Sequence, residues 1–333
     1  MDNITHLITG LMLSRTGLGR LSPHATAILV LAANAPDMDI LAAFGGAASY
    51  LNYHRNATHS LFAAPFVAIL PVLAVRLFGG PIPWLGAYSL SLIGVASHLL
   101  MDWTNVYGLR LLSPFSAKWF DGDFIAVVDV WIWLFLFIGL AAPVVSRLVS
   151  VEIGADSGGR SGAAVVVFCV CLLYGFGRYL LHERAVAVLD SRMCRNEAPL
   201  RVAAVPSPLN PFRWVGLVEG SGWYVTYTNL NLLDDFDPAA GKVFYKPEGR
   251  PEIAAVEETR LFQVFMSFSQ WPLWRVMPVA EPENGVLVEL VDLRFGIPPQ
   301  ARFLASAVVD SSMHVVNPEL NLGGKKEYLI RED

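Results

Sequence analysis

Charged residues are scarce in this sequence, and the scarcity is uneven. They make up 16% of the 333 residues, against about 25% in typical soluble domains. From residue 61 to residue 101 the sequence carries one charged side chain, Arg76, whereas residues 182–333 have an ordinary soluble composition. This lack of charge argues against a wholly soluble protein and predicts that much of the first half lies in a membrane.

Cysteine pairs and an excess of positive charge are also lacking. The three cysteines include no CxxC pair, which argues against a thiolate zinc site and against a disulfide framework. The net charge is −5, whereas nucleic-acid-binding proteins usually carry a basic patch, so we expect no nucleic-acid partner. The first residues lack the basic stretch of a cleaved signal peptide and are expected to remain in the mature protein.

Long apolar segments account for much of the first half. A membrane-spanning helix needs about 20 mostly apolar residues, and the segments that qualify are 61–78, 82–101, 124–149 and 161–181. Residues 24–48 are also apolar, but the sequence NAPDMD at 34–39 interrupts them. Proline disrupts a helix interior and carboxylates are costly at membrane depth, so we predict two half-helices or a re-entrant pair at 24–48.

The sequence pattern changes near residue 182. An amphipathic helical segment at 257–268 is flanked by β-rich stretches at 201–205, 213–219, 222–229, 286–295 and 302–310. Strands that flank a helix favour a small α+β domain. The predicted fold is therefore a polytopic α-helical membrane domain at 1–181, followed by a small soluble α+β domain at 182–333.

Histidines and aspartates of metal-ligand type recur near the predicted helix ends of the first half. His98 and Asp102 are four residues apart, a spacing that places two side chains on one helix face. A pair of ligands for one ion and a structural hydrogen-bonded pair are equal interpretations of that spacing. Imidazole and carboxylate ligands suit zinc, manganese or iron. The candidate metal ligands are His6, Asp37, Asp39, His54, His59, His98 and Asp102.

Two further residues are candidates for roles near such an ion. Arg55 lies between two of these histidines and can bind a phosphate or carboxylate of a substrate as a bidentate fork. A lipid head-group contact, or a salt bridge to Asp37 or Asp39, is an equal alternative for it. Asp129 lies within an apolar run, where acidic residues are functional candidates by default.

A metal ion at these residues would explain why carboxylates persist in apolar surroundings. The cation offsets the cost of removing the carboxylates from water. It also lowers the pKa of a coordinated water towards ~7, which produces the usual nucleophile of metal-assisted hydrolysis. Metal-dependent hydrolysis is therefore the first functional hypothesis.

The motifs around these residues resemble a known family. They are Thr5-His6, Pro36-Asp37-Met38-Asp39, His54-Arg55-x-x-Thr58-His59-Ser60, Ser97-His98-x-x-x-Asp102, Asn105-x-Tyr107-Gly108 and Ser113-Pro114-Phe115. In these motifs the sequence resembles the YdjM-type family, described as LexA-regulated inner-membrane proteins with an inferred metal-dependent hydrolase activity. The resemblance covers about residues 1–135. It implies a multi-pass hydrolase of the bacterial inner membrane.

The order of the ligands is also similar to that of zinc-dependent phospholipase C and P1 nuclease. That group hydrolyses phosphate esters with several zinc ions, and its later ligands include an HxxxE helix, which this sequence lacks after Asp102. Because that later motif is missing, one or two ions are expected here in place of several, and the similarity makes zinc the leading candidate. It also implies that Asp37 is the catalytic carboxylate, acting as a base or a bridging ligand.

The resulting expectation is a membrane-embedded hydrolase that acts on an ester, such as one of a phospholipid, at the bilayer surface. Its expected partners are the lipid bilayer and an amphiphilic substrate. Arg55 would steady the developing negative charge. The distribution of Lys and Arg favours a cytoplasmic site and C-terminal domain. Two alternatives stay open: an ion-coupled transporter, because broken helices with acidic residues are also a transporter device, and an interaction protein whose metal site is structural.

Overall fold

The computed structural model describes residues 1–153 and 160–323, which form two compact units. The first unit consists of Met1–Asp39, Arg55–Arg184 and Pro206–Arg213. The second consists of Ile40–His54, Ala185–Val205 and the chain from Trp214 onwards. The predicted fold class is confirmed, because a helical N-terminal region is followed by two small antiparallel sheets with helices.

Helices dominate the chain up to residue 190. They are α1 (Asn3–Ser14), α2 (Ala25–Ala32), α3 (Ala47–Tyr53), α4 (Ala64–Val67), α5 (Ile69–Gly79), α6 (Trp84–Trp103), α7 (Val130–Ile153) and α8 (Arg160–Asp190). Short 3-10 helices lie at Leu18–Leu21, Pro36–Gly45 and Ala57–His59. Of all these helices, α3 alone belongs wholly to the second unit.

Three helices are long and apolar enough to cross a membrane. Within the described residues they are Trp84–Trp103, Val130–Leu148 and Gly162–Asp190, and two interrupted helix pairs pass the same test only if each pair counts as one span. One pair contains the break predicted at 34–39, where α2 ends at Ala32 and a 3-10 helix begins at Pro36. The predicted span 61–78 is instead divided between α4 and α5. Prolines fit only the first turn of a helix, and this segment contains Pro65 and Pro71.

Two glycines bring α1 and α6 close to α2. A Cβ atom at Gly10 would lie 2.6 Å from the carbonyl oxygen of Leu29, and one at Gly94 would lie 2.6 Å from Cβ of Ala32. Small residues allow helix backbones to approach closely in membranes. His6 and His98 each lie four residues from one of these glycines, on the same helix face. Both histidines therefore lie on the helix faces that approach α2 at these glycines.

The second unit contains two four-stranded antiparallel sheets. The strands are β1 (Arg201–Pro206), β2 (Arg213–Glu219), β3 (Trp223–Asn231), β4 (Lys242–Tyr245), β5 (Pro272–Pro278), β6 (Val286–Asp292), β7 (Phe303–Val309) and β8 (Val315–Leu322). Each sheet follows chain order, β1 to β4 and β5 to β8. Helices α9 (Pro251–Glu257) and α10 (Arg260–Phe268) lie between the sheets in sequence. Helix α10 buries Phe262, Phe265 and Phe268, and α3 packs against α10 and β8.

Candidate metal centre

Four of the predicted ligands converge in the first unit. One side-chain atom from each of Asp37, His59, His98 and Asp102 lies within 4.8 Å of the other three. The two imidazole Nε2 atoms are 3.1 Å apart. His59, His98 and Asp102 are fully buried, whereas the side chain of Asp37 keeps 10% of its surface exposed. A buried cluster of two imidazoles and two carboxylates can hold a metal ion.

Three chain segments supply this cluster. Asp37 lies in the first turn of the 3-10 helix that begins at Pro36. His59 ends the short 3-10 helix Ala57–His59. His98 and Asp102 lie one turn apart on the buried face of α6, as the sequence spacing predicts. Convergence thus requires the packing of α6 against the two irregular segments on either side of α3.

The hydrogen bonds of the two imidazoles determine which nitrogen faces the cluster. His59 Nδ1 lies 3.1 Å from Oδ2 of Asp39, and His98 Nδ1 lies 2.7 Å from the carbonyl oxygen of Ala33. A carboxylate and a carbonyl oxygen only accept hydrogen bonds, so these two contacts favour the tautomer with the proton on Nδ1. In that neutral tautomer both Nε2 atoms present lone pairs to the interior of the cluster.

The distances within the cluster fit a small divalent cation. His59 Nε2 lies 3.3 Å from Asp37 Oδ1 and 3.5 Å from Asp102 Oδ2, and the corresponding distances from His98 Nε2 are 3.7 and 3.4 Å. Tetrahedral zinc, with bonds of about 2.0–2.2 Å, places its ligand atoms roughly 3.3–3.6 Å apart. Within the described chain, Asp102 Oδ2 has no hydrogen-bond partner. Two facing lone pairs and an unpaired buried carboxylate oxygen are stabilised by a cation and disfavoured without one.

The second oxygen of Asp102 is held by other groups. Asp102 Oδ1 lies 3.0 Å from an Nη of Arg55 and 3.3 Å from Nε2 of His6, and it also contacts the amino group of Met1. Arg55 is itself buried; its guanidinium donates to Oδ1 of Asn105 at 3.0 Å and lies over the ring of Tyr107. These contacts hold Oδ1 and leave Oδ2 facing the imidazoles of His59 and His98.

The remaining predicted ligands, His6, Asp39 and His54, lie outside the four-residue cluster. His6 stacks on His98 with ring centroids 3.8 Å apart; burial, together with the nearby His98, lowers its pKa well below the usual value. Asp39 contacts the opposite side of the His59 ring from the cluster. His54 follows α3, stacks on Tyr50 at 4.6 Å and belongs to the second unit. Of the seven predicted ligands, the four-residue cluster contains four.

The contacts of Asp129, the secondary candidate, indicate a structural role at the start of α7. Its Oδ1 accepts hydrogen bonds from the backbone N–H groups of Trp131 and Ile132 at 3.0 and 3.2 Å, so it caps the first turn of α7. The hydroxyl of Tyr174 donates to the same carboxylate at 3.0–3.1 Å. Burial raises the pKa of Asp129. The position of Asp129 directly before an apolar helix was the sequence signal for a cap.

Sequence reasoning did not identify two groups that shape the cluster. The carbonyl of Ala33 has no side-chain signature, because any residue could supply it. Asn105 belongs to one of the resemblance motifs, and its Oδ1 accepts hydrogen bonds from Arg55 and, at 2.9 Å, from the backbone N–H of Tyr107. Its place shortly after the HxxxD pair of α6 was the available signal.

Comparison with known proteins identifies one similar protein and a matching family. It is 26% identical over 310 residues to the uncharacterized protein YfhP of Bacillus subtilis (strain 168), a match that covers 89% of this chain and 87% of that protein. No solved structure matches the chain. The family described as YdjM inner membrane protein matches residues 1–184, a range that contains every residue of the four-residue cluster. This protein therefore belongs to the YdjM inner membrane protein family.

Proposed function

We propose that this protein is a membrane-embedded metal-dependent hydrolase whose metal is held by Asp37, His59, His98 and Asp102. The observation that carries the proposal is the pair of imidazole Nε2 atoms, 3.1 Å apart, with each Nδ1 beside a hydrogen-bond acceptor on the opposite side of its ring. A divalent cation at such a site acts as a Lewis acid and makes water a competent nucleophile near neutral pH. Zinc suits the two-nitrogen, two-oxygen donor set at these distances.

Asp37 is the residue we assign to the reacting side of the centre. It is the one member of the cluster with an exposed surface, 10% of its side chain, whereas the other three are fully buried. Water and substrate therefore approach on its side. A carboxylate at this place can orient an attacking water and accept its proton.

Arg55 is assigned a positioning role in place of the direct contact with substrate expected from the sequence. Its guanidinium is 96% buried and binds Asp102, Asn105 and the carbonyl oxygen of Gly108. Contact with a substrate phosphate would require Arg55 to leave these partners. As it stands, Arg55 fixes which oxygen of Asp102 faces the ion.

An ester with a hydrocarbon portion is the substrate class that best suits the surroundings. Ser60 directly follows His59, and the next residues, Leu61 and Phe62, are both more than half exposed. Phe62 packs edge-on against Phe115, which is 79% exposed, with ring centroids 5.5 Å apart. Exposed apolar groups on a membrane protein suit acyl chains. The proposed substrate is therefore a lipid ester, hydrolysed at the cytoplasmic surface of the inner membrane.

The test combines metal analysis with a hydrolysis assay on the full-length protein in detergent. Elemental analysis should find close to one equivalent of a divalent transition metal, and mixed-micelle assays with fluorogenic phospholipid and carboxylic esters should show turnover that a chelator removes. His59→Ala should lose both properties. His24→Ala is the matched control, because His24 lies before α2 in the same unit and outside the cluster. Metal-free wild-type protein, or turnover that survives in His59→Ala, would refute the proposal.

A structural metal site is the second candidate, and the number of ligands favours it. Structural zinc sites usually have four protein ligands, whereas catalytic sites usually have three and keep one position open. The four donors here match the closed arrangement unless the ion takes a fifth ligand on the Asp37 side. Bound metal without hydrolysis of either ester class, combined with loss of folding on metal removal, would support this alternative.

A further inference from the structure

We propose that Asp39 is a positioning residue that orients His59, and that it is not a ligand of the ion bound by the four-residue cluster. The inference rests on the metal centre proposed above and divides the two acidic residues of the Pro36-Asp37-Met38-Asp39 motif between different tasks. Asp37 would bind the ion directly, whereas Asp39 would act through the imidazole of His59.

One carboxylate oxygen of Asp39, Oδ2, lies within hydrogen-bonding distance of three donors. Its Oδ2 lies 2.9 Å from the backbone nitrogen of Arg55, 3.1 Å from Oγ1 of Thr58 and 3.1 Å from Nδ1 of His59. Thr58 Oγ1 lies only 3.0 Å from the same imidazole nitrogen. Oδ2 of Asp39 therefore binds several groups of the turn that contains His59.

The backbone of that turn depends on the same carboxylate. Arg55 adopts a left-handed conformation with φ of +56°, which is uncommon for a residue with a side chain. Its N–H donates to Asp39 and its carbonyl oxygen accepts from the N–H of Arg110 at 2.9 Å. The charge-assisted bond from Asp39 therefore helps hold Arg55 in place as well as His59.

The local helix type explains why neighbouring acidic residues point in different directions. Asp37 and Asp39 lie in a 3-10 helix, which has 3.0 residues per turn. Two residues correspond to about 240° of rotation in such a helix, so the two side chains leave it on different sides. Asp37 Oδ1 accordingly lies 3.3 Å from Nε2 of His59, whereas Asp39 Oδ2 lies 3.1 Å from Nδ1 of the same ring.

An ionised partner on Nδ1 strengthens the metal bond on Nε2. It fixes the tautomer, prevents rotation of the ring and raises the basicity of the ligating nitrogen, and loss of such a partner typically lowers metal affinity about 10–100-fold. A direct ligand has a different signature, because its loss changes the coordination sphere itself. Affinity and coordination geometry are therefore separate readouts.

The experiment replaces the native metal by Co²⁺ in the full-length protein and records the d–d absorption spectrum and the dissociation constant. The variants are Asp39→Asn, Asp39→Ala and Asp37→Asn, with Asp129→Asn as a matched control for a buried acid elsewhere. We expect both Asp39 variants to keep the band positions and intensities of wild type and to bind Co²⁺ about 10–100-fold more weakly, with Asn milder than Ala. Asp37→Asn should shift the bands, and Asp129→Asn should match wild type.

The possible outcomes separate this inference from the proposed metal centre. If wild-type protein binds no Co²⁺, the centre itself is refuted. If wild type binds one ion but Asp39→Asn alters the spectrum as Asp37→Asn does, Asp39 is a ligand and the inference is overturned. Two ions in wild type, with one lost in Asp39→Asn, would also overturn it. Unchanged affinity in Asp39→Ala would show that orientation of His59 does not need Asp39.

Discussion

Replacement of His98 by alanine tests the metal centre through stability, without knowledge of the substrate. An ion that binds only the folded state stabilises it by about 2.7 kcal/mol when its concentration is 100 times the dissociation constant. Each kcal/mol shifts the midpoint of thermal unfolding by about 2–4 °C in a domain of some 150–250 residues. For a unit of this size we therefore expect metal to raise the midpoint of the wild-type protein by about 5–11 °C.

His98→Ala should lose that metal-dependent shift because it removes one of the two facing Nε2 atoms. The variant also leaves a cavity beside His6, whose ring stacks on His98, so its midpoint without metal should fall as well. The informative quantity is the difference between midpoints measured with added Zn²⁺ and with chelator. Thermal unfolding followed by intrinsic tryptophan fluorescence in detergent supplies both values.

Two controls make this measurement decisive. His24→Ala removes a histidine of the same unit that lies outside the four-residue cluster, and it should keep the full metal-dependent shift. His314→Ala removes an imidazole that is 79% exposed in the second unit and should also keep it. A metal-dependent shift in His98→Ala equal to that of wild type would refute the assignment of His98 as a ligand. The absence of any shift in wild type would refute the centre.

Further variants change either residues that support the cluster or residues that should not affect metal content. Gly94→Leu should separate α6 from α2 and reduce bound metal in elemental analysis, because even a Cβ atom there would lie 2.6 Å from Ala32. Arg55→Met should destabilise the protein by about 3–5 kcal/mol in denaturant unfolding, since it removes one partner of a buried ion pair with Asp102. Asp129→Ala should cost about 0.5–2 kcal/mol through loss of the α7 cap while metal content stays unchanged. Phe268→Ala should destabilise the second unit by about 3–5 kcal/mol and likewise leave metal content intact.

The main features of the cluster could be predicted because they depend on regular geometry. His98 and Asp102 lie on a helix of 20 residues, where a spacing of four residues determines a common face. Helices α7 and α8 follow directly from apolar composition. The task of each acidic residue in the 34–39 segment could not be predicted. It depends on a 3-10 helix and on a turn with a left-handed residue, and neither has a periodic sequence signal.

The strands that the sequence did not reveal share one physical feature. β4, β5 and β8 are all edge strands of their sheets. β5 begins and ends with proline, and β8 contains Pro318. Proline cannot donate to a sheet ladder, so within sheets it is confined to edges, strand starts and bulges. Sequence patterns identify central strands best, because burial on both sides enforces apolar residues there.

The second unit also includes a segment that the sequence assigned to the membrane domain. The half-helices predicted at 24–48 include residues 40–48, yet these residues belong to the second unit, in which α3 packs against α10 and β8. Apolar composition predicts burial but does not say against which partner. The segment also separates Asp37 from His59 along the chain.

Charge balance gives an independent reason to place a divalent cation at the centre. The carboxylates of Asp37, Asp39 and Asp102 lie in or beside the four-residue cluster, and the guanidinium of Arg55 binds Asp102. As ionised groups they leave two negative charges. Burial lowers the pKa of the Met1 amino group well below its usual value, which disfavours its charged form. Buried charges are tolerated when they are paired or coordinate a metal, and a divalent cation between the two Nε2 atoms would offset the two negative charges.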